Sequence, residues 1–403
     1  MSEVAERLAE LRRAGLHRRL RIVDGPQGPR VLLNGTEVLL LCSNNYLGLA
    51  DHPRVRRAAA EAAERYGAGA GASRLISGSI ALHRKLEQRL AEFERRPAAL
   101  LFGSGYLANT GTIAALAGEG VVIFSDELNH ASIIDGCRLS RAGTYVYRHR
   151  DLEHLEAGLR EAGDHARLIV TDGLFSMDGD VAPLTGLVEL ARRHRCLLAV
   201  DEAHAIGALG PGGRGSVAAA GLEHEVDLVI GTLGKALGSY GAYVCGSAEL
   251  VELLVNTARP FIFSTALPPP STGAALAALE LLVERPGLVE QLRRNASILR
   301  QGLDAQGLET NGSRTQIVPV IVGDPQRAMA LCERALEGGV FAQAVRPPTV
   351  PAGSSRLRLT AMANHSAEEL QLAARAIGGA ARELGIADPE SGAEPIRGLR
   401  QAA

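Results

Sequence analysis

An α/β architecture built on a mostly parallel sheet is predicted by two features of this 403-residue chain. From about residue 53 onward short β-rich runs alternate with helical patterns, the order that lays helices on both faces of a parallel sheet. Reactive side chains follow directly on several of the β-rich runs, where strands of such a sheet deliver ligand-binding groups. A smaller α/β unit is expected beyond the prolines Pro268, Pro269 and Pro270.

Taken in order, the chain opens on an amphipathic helix, MSEVAERLAELRRAGLHRRL, whose charged and apolar residues recur at helical spacing, unlike a signal peptide. Extended segments follow around Val31 to Leu33 and Val38 to Leu41, then the polar turn Cys42-Ser43-Asn44-Asn45-Tyr46-Leu47-Gly48. Strands are expected at Ala98 to Leu101, Val121 to Phe124, Thr144 to Tyr147, Leu168 to Thr171, Leu197 to Val200 and Val226 to Ile230. Apolar residues every three or four positions mark helices at Ile80 to Arg95, Tyr106 to Ala117, Ala131 to Ser140, Leu152 to Glu161 and Leu184 to Arg193. Past the prolines come a long helical region to about Leu303, strands near Ile317 to Val322 and Arg356 to Thr360, and a last helix from Ala367 to Glu383. The expected division is an N-terminal helix and extended segment over 1–50, a large domain over 51–265, a small C-terminal domain over 266–388 and a disordered tail over 389–403.

Composition narrows the function. With 46% apolar and 22% charged residues the chain has ample core for a globular fold. A net charge of -2, no Trp and 3% aromatic residues offer neither the field nor the stacking surfaces that nucleic acid needs. No apolar run reaches membrane-spanning length, so a cytoplasmic address is expected. Five scattered cysteines without a C-x-x-C pair suit neither a disulfide framework nor a zinc site.

Lysine is the informative residue. It occurs only at Lys85 and Lys235, so 41 of the 43 basic residues are arginine. Lys235 lies in the glycine-framed turn Gly231-Thr232-Leu233-Gly234-Lys235-Ala236-Leu237-Gly238, behind an apolar run. Guanidinium stays protonated and is no nucleophile, so only the amine can form a Schiff base. A second apolar run, Leu197 to Val200, delivers Asp201-Glu202-Ala203-His204. A nucleotide-hydrolysis reading of that DEAH sequence fails for want of a phosphate loop, because Gly234-Lys235 is followed by Ala236. A dinucleotide-binding reading of Gly67 to Ala72 fails because that run follows a helix. There remain a lysine amine, an aspartate, two histidines and glycine-rich turns, the set that pyridoxal phosphate requires. The amine bonds the aldehyde, the aspartate keeps the pyridine nitrogen protonated, and helix N-termini and hydroxyls hold the phosphate.

From Leu16 to about Ile377 the chain resembles the α-oxoamine synthases, fold-type I pyridoxal-phosphate enzymes that condense an amino acid with an acyl thioester. The resemblance implies a large domain with a mostly parallel seven-stranded sheet, a smaller α/β domain, and a homodimer with active sites at the subunit interface. It also implies roles by position. Lys235 in GTLGKALG is similar to the cofactor-bearing lysine, and Asp201 in VDEAHAIG to the pyridinium partner. His204, with Ser176 of GLFSMDGD, resembles the partner of the phenolic oxygen, and His130 of LNHAS the catalytic imidazole stacked on the ring, which also binds substrate by polarising the acyl carbonyl. Gly105 and Tyr106 of GSGYLAN and Thr232 resemble phosphate-binding positions, while Ser264 and Thr265 resemble those that reach the neighbouring subunit's phosphate. Arg18, at the end of the N-terminal helix, and Asn44, Thr349 and Arg358 resemble substrate-binding residues, with Arg358 on the amino-acid carboxylate.

The segments Gly69 to Gly78 and Arg346 to Thr360 are similar to the branch that makes the first biotin intermediate from L-alanine and a pimeloyl thioester. Either coenzyme A or acyl carrier protein is compatible as carrier. One departure is Asp172, where that branch commonly has Glu. Glycine acetyltransfer is the alternative within the family, and a silent scaffold subunit the alternative outside catalysis. Such a subunit typically loses the lysine that this chain retains.

Overall fold

Valine, leucine and isoleucine runs form the central sheet, as their β-branched and apolar content favours. In this computed structural model, which describes residues 2–163 and 165–387, its strands are β1 (Ala98–Phe102), β2 (Val121–Asp126), β3 (Gly143–Tyr147), β4 (Ala166–Asp172), β5 (Leu197–Asp201), β6 (Leu228–Thr232) and β7 (Ala242–Gly246). They lie in the order β1-β7-β6-β5-β4-β2-β3. All neighbouring pairs are parallel except the two that β7 makes, which are antiparallel.

Each face of the sheet has its own core. Leu168, Val170, Ala199, Leu228 and Ile230 pack on one side with Phe102 and Val244. Ile169, Leu198, Val200 and Val229 pack on the other with Phe124 and Leu187. Burial on both faces explains why these strands read as unbroken apolar runs rather than alternating ones. The six runs expected from the sequence are all strands. The seventh, β7, follows the lysine turn so closely that its Ala-Tyr-Val-Cys-Gly sequence carries no separate signal. β6 begins at Leu228 rather than Val226, because the Asp227 carboxylate turns back to accept the Leu198 amide at 2.8 Å.

The chain divides into two compact units, and the division corrects the expected boundaries. The larger comprises Asn44–Arg293 with Met362–Asn364; the smaller comprises the chain up to Ser43, Arg294–Ala361 and the chain from His365. The expected long helical region is two helices, Pro269–Glu284 and Gly287–Asp304, parted around Pro286. Pro269–Glu284 belongs to the larger unit, where Ala275, Ala278, Leu279 and Leu282 are buried. It is tied to helix Pro53–Tyr66 by Arg54, which reaches Glu280 at 2.9 Å and Glu284 at 2.6 Å.

The N-terminal segment is likewise no separate domain. Its strands Val23–Asp24, Arg30–Leu33 and Thr36–Leu40 form one sheet with Val340–Phe341. A three-stranded sheet of Ile317–Gly323, Ser355–Thr360 and Gln343–Val345 completes the β-structure of the smaller unit. The first helix, Glu3–Arg13, is shorter than expected and ends before Gly15, whose φ is +67°. Arg18 therefore lies beyond the helix, in a segment held by the Arg346 guanidinium through the carbonyls of Gly15 and His17. The tail expected at 389–403 lies outside the described residues. Among those described, no helix is long and apolar enough to cross a membrane.

Candidate active site

Four parallel strands end on polar residues, Asp126, Asp172, Asp201 and Thr232, so the carboxyl edge of the sheet concentrates the chemistry. That edge is where open α/β sheets bind their ligands. Just past β6, Lys235 sits half-buried in a turn closed by Leu233 N to Gly241 O and Ser239 N to Leu233 O, both at 2.9 Å. Gly238 is needed here: its φ is +59°, and a Cβ would lie 2.3 Å from the Ala50 nitrogen.

The lysine amine is 2.8 Å from His204 Nε2. His204 Nδ1 is 2.7 Å from the Tyr46 hydroxyl, which donates to Asn44 Oδ1 at 3.1 Å. An amine donating to Nε2 leaves the His204 proton on Nδ1, so the series Lys235, His204, Tyr46, Asn44 runs donor to acceptor throughout. Two residues singled out from sequence, Lys235 and His204, thus meet directly, and Asn44 joins them through Tyr46.

Asp201 is buried and accepts two bonds, from Ala203 N on Oδ1 at 2.8 Å and from Asn109 Nδ2 on Oδ2 at 2.6 Å. Its neighbour in register, Asp172, accepts the His130 amide at 2.7 Å and so fixes the loop that carries that histidine. Burial, reinforced by the Asp201 charge, drives the Asp172 carboxyl well above the ordinary carboxylate range. The shortened side chain noted in the sequence therefore has a positional job. His130 is exposed on one side, yet burial of the remainder lowers its pKa; Asp201 opposes the effect and Lys235 adds to it.

Gly105 and Tyr106 open helix Gly105–Leu116, where the first amides have no intrahelical acceptor. Ser104 caps the amide of Leu107 at 3.2 Å. The Tyr106 hydroxyl turns aside and donates to Asp135. The Thr232 hydroxyl donates to Gly241 O at 3.1 Å and accepts the Gly234 amide at 3.3 Å, which shapes the lysine turn. Ser264 and Thr265 line a small depression with Arg74 and Gly103, held by a bridge between Thr265 and Ser73. In the smaller unit, Arg358 is buried on the strand Ser355–Thr360, and Thr349 is exposed in a turn closed by its amide to Arg346 O at 3.1 Å.

The sequence profile of the aminotransferase class I and II family matches residues 36–377. An 8-amino-7-oxononanoate synthase from Geobacter sulfurreducens is 55% identical over 386 residues, which cover 95% of this chain and 99% of that protein. Another from Symbiobacterium thermophilum is 49% identical over 385 residues, 95% of this chain and 98% of its own. The chain belongs to the 8-amino-7-oxononanoate synthase family. Its fold is that of the fold-type I PLP-dependent transferases. A structure of Sphingomonas wittichii serine palmitoyltransferase superposes with a TM-score of 0.91 at 34% identity, covering 96% of this chain and 98% of that one. The 8-amino-7-oxononanoate synthase of Francisella tularensis superposes with a TM-score of 0.74 at 28% identity, covering 86% and 98%.

Pyridoxal phosphate, the cofactor of this family, suits the residues present. An amine on a short turn, a buried acceptor-only carboxylate and the open first turn of a helix answer its aldehyde, pyridine nitrogen and phosphate. Beside these, three groups escape a reading of motifs: Tyr46, Asn109 and Ser132. Asn109 stands four residues beyond Gly105 in the same helix, and that spacing places it one turn along the same face.

One clamp supports two loops of the site. His149 Nδ1 is 2.9 Å from Asp126, at the end of β2, and Nε2 is 2.8 Å from Asp180, in the loop that carries Ser176. Burial alone would lower the His149 pKa, but bonds to both carboxylates outweigh it and raise the value to about 9. A folded pKa above the ordinary 6.5 means the charged clamp is fully stabilising below about pH 6.5 and is lost as pH rises through about 9. His149→Gln is expected to cost about 1–3 kcal/mol at pH 7. Thermal melts from pH 6 to 10 should show the variant losing less stability than the parent across the upper half of that range. Parallel curves would remove the clamp from the account.

Proposed function

We propose that this chain condenses L-alanine with a pimeloyl thioester, on coenzyme A or acyl carrier protein, to give 8-amino-7-oxononanoate, carbon dioxide and the free carrier thiol. That is the biotin-forming reaction named for its relatives, and the observation that carries it to this chain is the 2.8 Å contact between the Lys235 amine and His204, beside Asp201. When bound, the cofactor supplies an aldehyde for the amine and an electron-withdrawing ring for the electron pair released at the α-carbon. Lys235 would serve as the attachment point and, with its amine free, as the base that takes the α-proton. Asp201 would hold the pyridine nitrogen protonated, His204 and Ser176 would meet the phenolic oxygen, and His130 would stack against the ring. Gly105, Tyr106 and Thr232 would take the phosphate.

Arg358 is assigned the alanine carboxylate, because a planar guanidinium binds carboxylate through two parallel bonds. Arg18, Asn44 and Thr349 are assigned to substrate binding, Thr349 on the acyl donor. A homodimer in the cytoplasm, with Ser264 and Thr265 reaching the partner's cofactor phosphate, completes the reading. Two amino acids, alanine and glycine, offered with two thioesters, acetyl and pimeloyl, provide the test. Pimeloyl transfer to alanine is expected to be fastest. Faster acetyl transfer to glycine would overturn the substrate assignment and leave the cofactor chemistry standing.

A further inference from the structure

The Asn109 side chain poses a question that the cofactor site alone does not answer. It is 1% exposed, its Nδ2 donates both to Asp201 Oδ2 at 2.6 Å and to Ser132 Oγ at 2.8 Å, and its Oδ1 is buried with no partner among the described residues. Leaving a buried carbonyl oxygen unpaired costs about 1–3 kcal/mol, so the orientation is maintained by what the NH2 group does. A carboxylate accepts only, and this forces the NH2 rather than the oxygen toward Asp201. The second hydrogen then falls on Ser132 Oγ.

Ser132 is fully buried, and as an acceptor from Asn109 its own hydroxyl hydrogen is free to point onward to His130 Nδ1, 2.7 Å away. The Ser132 backbone amide also points at Nδ1, at 3.2 Å. An N–H aimed at that nitrogen demands a lone pair there. Every hydrogen in the series is thereby placed, and the His130 proton is left on Nε2.

We propose that Asn109 and Ser132 are positioning residues that couple Asp201 to His130 and hold the imidazole in its Nε2–H form, so that His130 meets the reactants as a hydrogen-bond donor and not as a base. A donor suits the acyl carbonyl, whose oxygen gains negative charge as the new carbon–carbon bond forms. The neutral state that the series requires agrees with the lowered pKa of His130. In its kinetic part the inference rests on the function proposed above; the tautomer does not.

Nitrogen-15 NMR of the cofactor-free protein with labelled histidine reads the tautomer directly, the His130 signals being assigned by their loss in His130→Gln. The proton is expected on Nε2, with Nδ1 unprotonated. A proton on Nδ1 overturns the proposal whatever the enzyme catalyses. Ser132→Ala removes the hydroxyl donor in a side chain one atom smaller. Its kcat for pimeloyl transfer is expected to fall about tenfold or more, with the KM for alanine and the cofactor absorbance unchanged. An unchanged kcat, or a loss confined to cofactor binding, sinks the coupling. A wild type inactive on pimeloyl thioester but carrying the Nε2 proton rejects the substrate reading and leaves the tautomer in place.

Discussion

Lys235→Ala is expected to abolish turnover, with kcat down at least about 10⁴-fold, because attachment point and proton-abstracting base disappear together. Lys235→Arg keeps a positive charge in the turn and is expected to fail equally, since guanidinium neither bonds the aldehyde nor gives up its proton at neutral pH. The fold should survive both changes: the amine is half-buried, and the turn is closed by backbone bonds of Leu233, Gly238 and Ser239 that the side chain does not make. Purified wild type should be yellow, and borohydride should bleach it and fix the cofactor to one lysine. Peptide mapping decides which. Lys85, the only other lysine, is an exposed residue of helix Ala81–Glu94, and a label there would defeat the assignment.

The lysine was legible because the chain uses that residue type so sparingly, and Asp201 and His204 because each stands just past a strong β run. Motifs of this kind are local. Tyr46 reaches His204 across 158 positions and Asn109 reaches Asp201 across 92, and no spacing rule in a single sequence joins such pairs. Asn109 lies within a segment already matched for its glycine and tyrosine, yet an asparagine inside an apolar helix reads as polar residue only until its neighbours in space are known. The position of Arg18 was more accessible: Ala14-Gly15 is a helix stop, and weighing it would have ended the first helix at Arg13. The domain boundary had no such signal. Prolines open helices as readily as they separate domains, and Pro268 to Pro270 do the former, leading into a helix buried against the larger unit.

Asp201→Asn should leave a folded protein that takes up cofactor, and should cut α-proton exchange on alanine on the order of a hundredfold or more. An amide cannot balance a protonated pyridine nitrogen, so the loss falls on proton abstraction rather than on binding. Hydrogen bonding makes the lesion larger than one charge. Asp201 now accepts from Ala203 N at 2.8 Å and from Asn109 Nδ2 at 2.6 Å. In the variant the new side chain keeps the first bond with its oxygen and turns its NH2 toward Asn109, donor against donor. Asn109 can answer by flipping, which gives its unpartnered Oδ1 an acceptor's role at last. The flip also presents oxygen to Ser132 Oγ, and the serine hydroxyl must then donate there instead of to His130. A single substitution at the carboxylate is thus expected to withdraw the serine hydroxyl from His130 Nδ1, leaving only the Ser132 backbone amide there, as well as to slow exchange. Deuterium incorporation into alanine and the nitrogen-15 spectrum of His130 report the two effects separately. Near-normal exchange would mean that another group holds the pyridine nitrogen; slowed exchange with an unmoved His130 would confine the role of Asp201 to the ring.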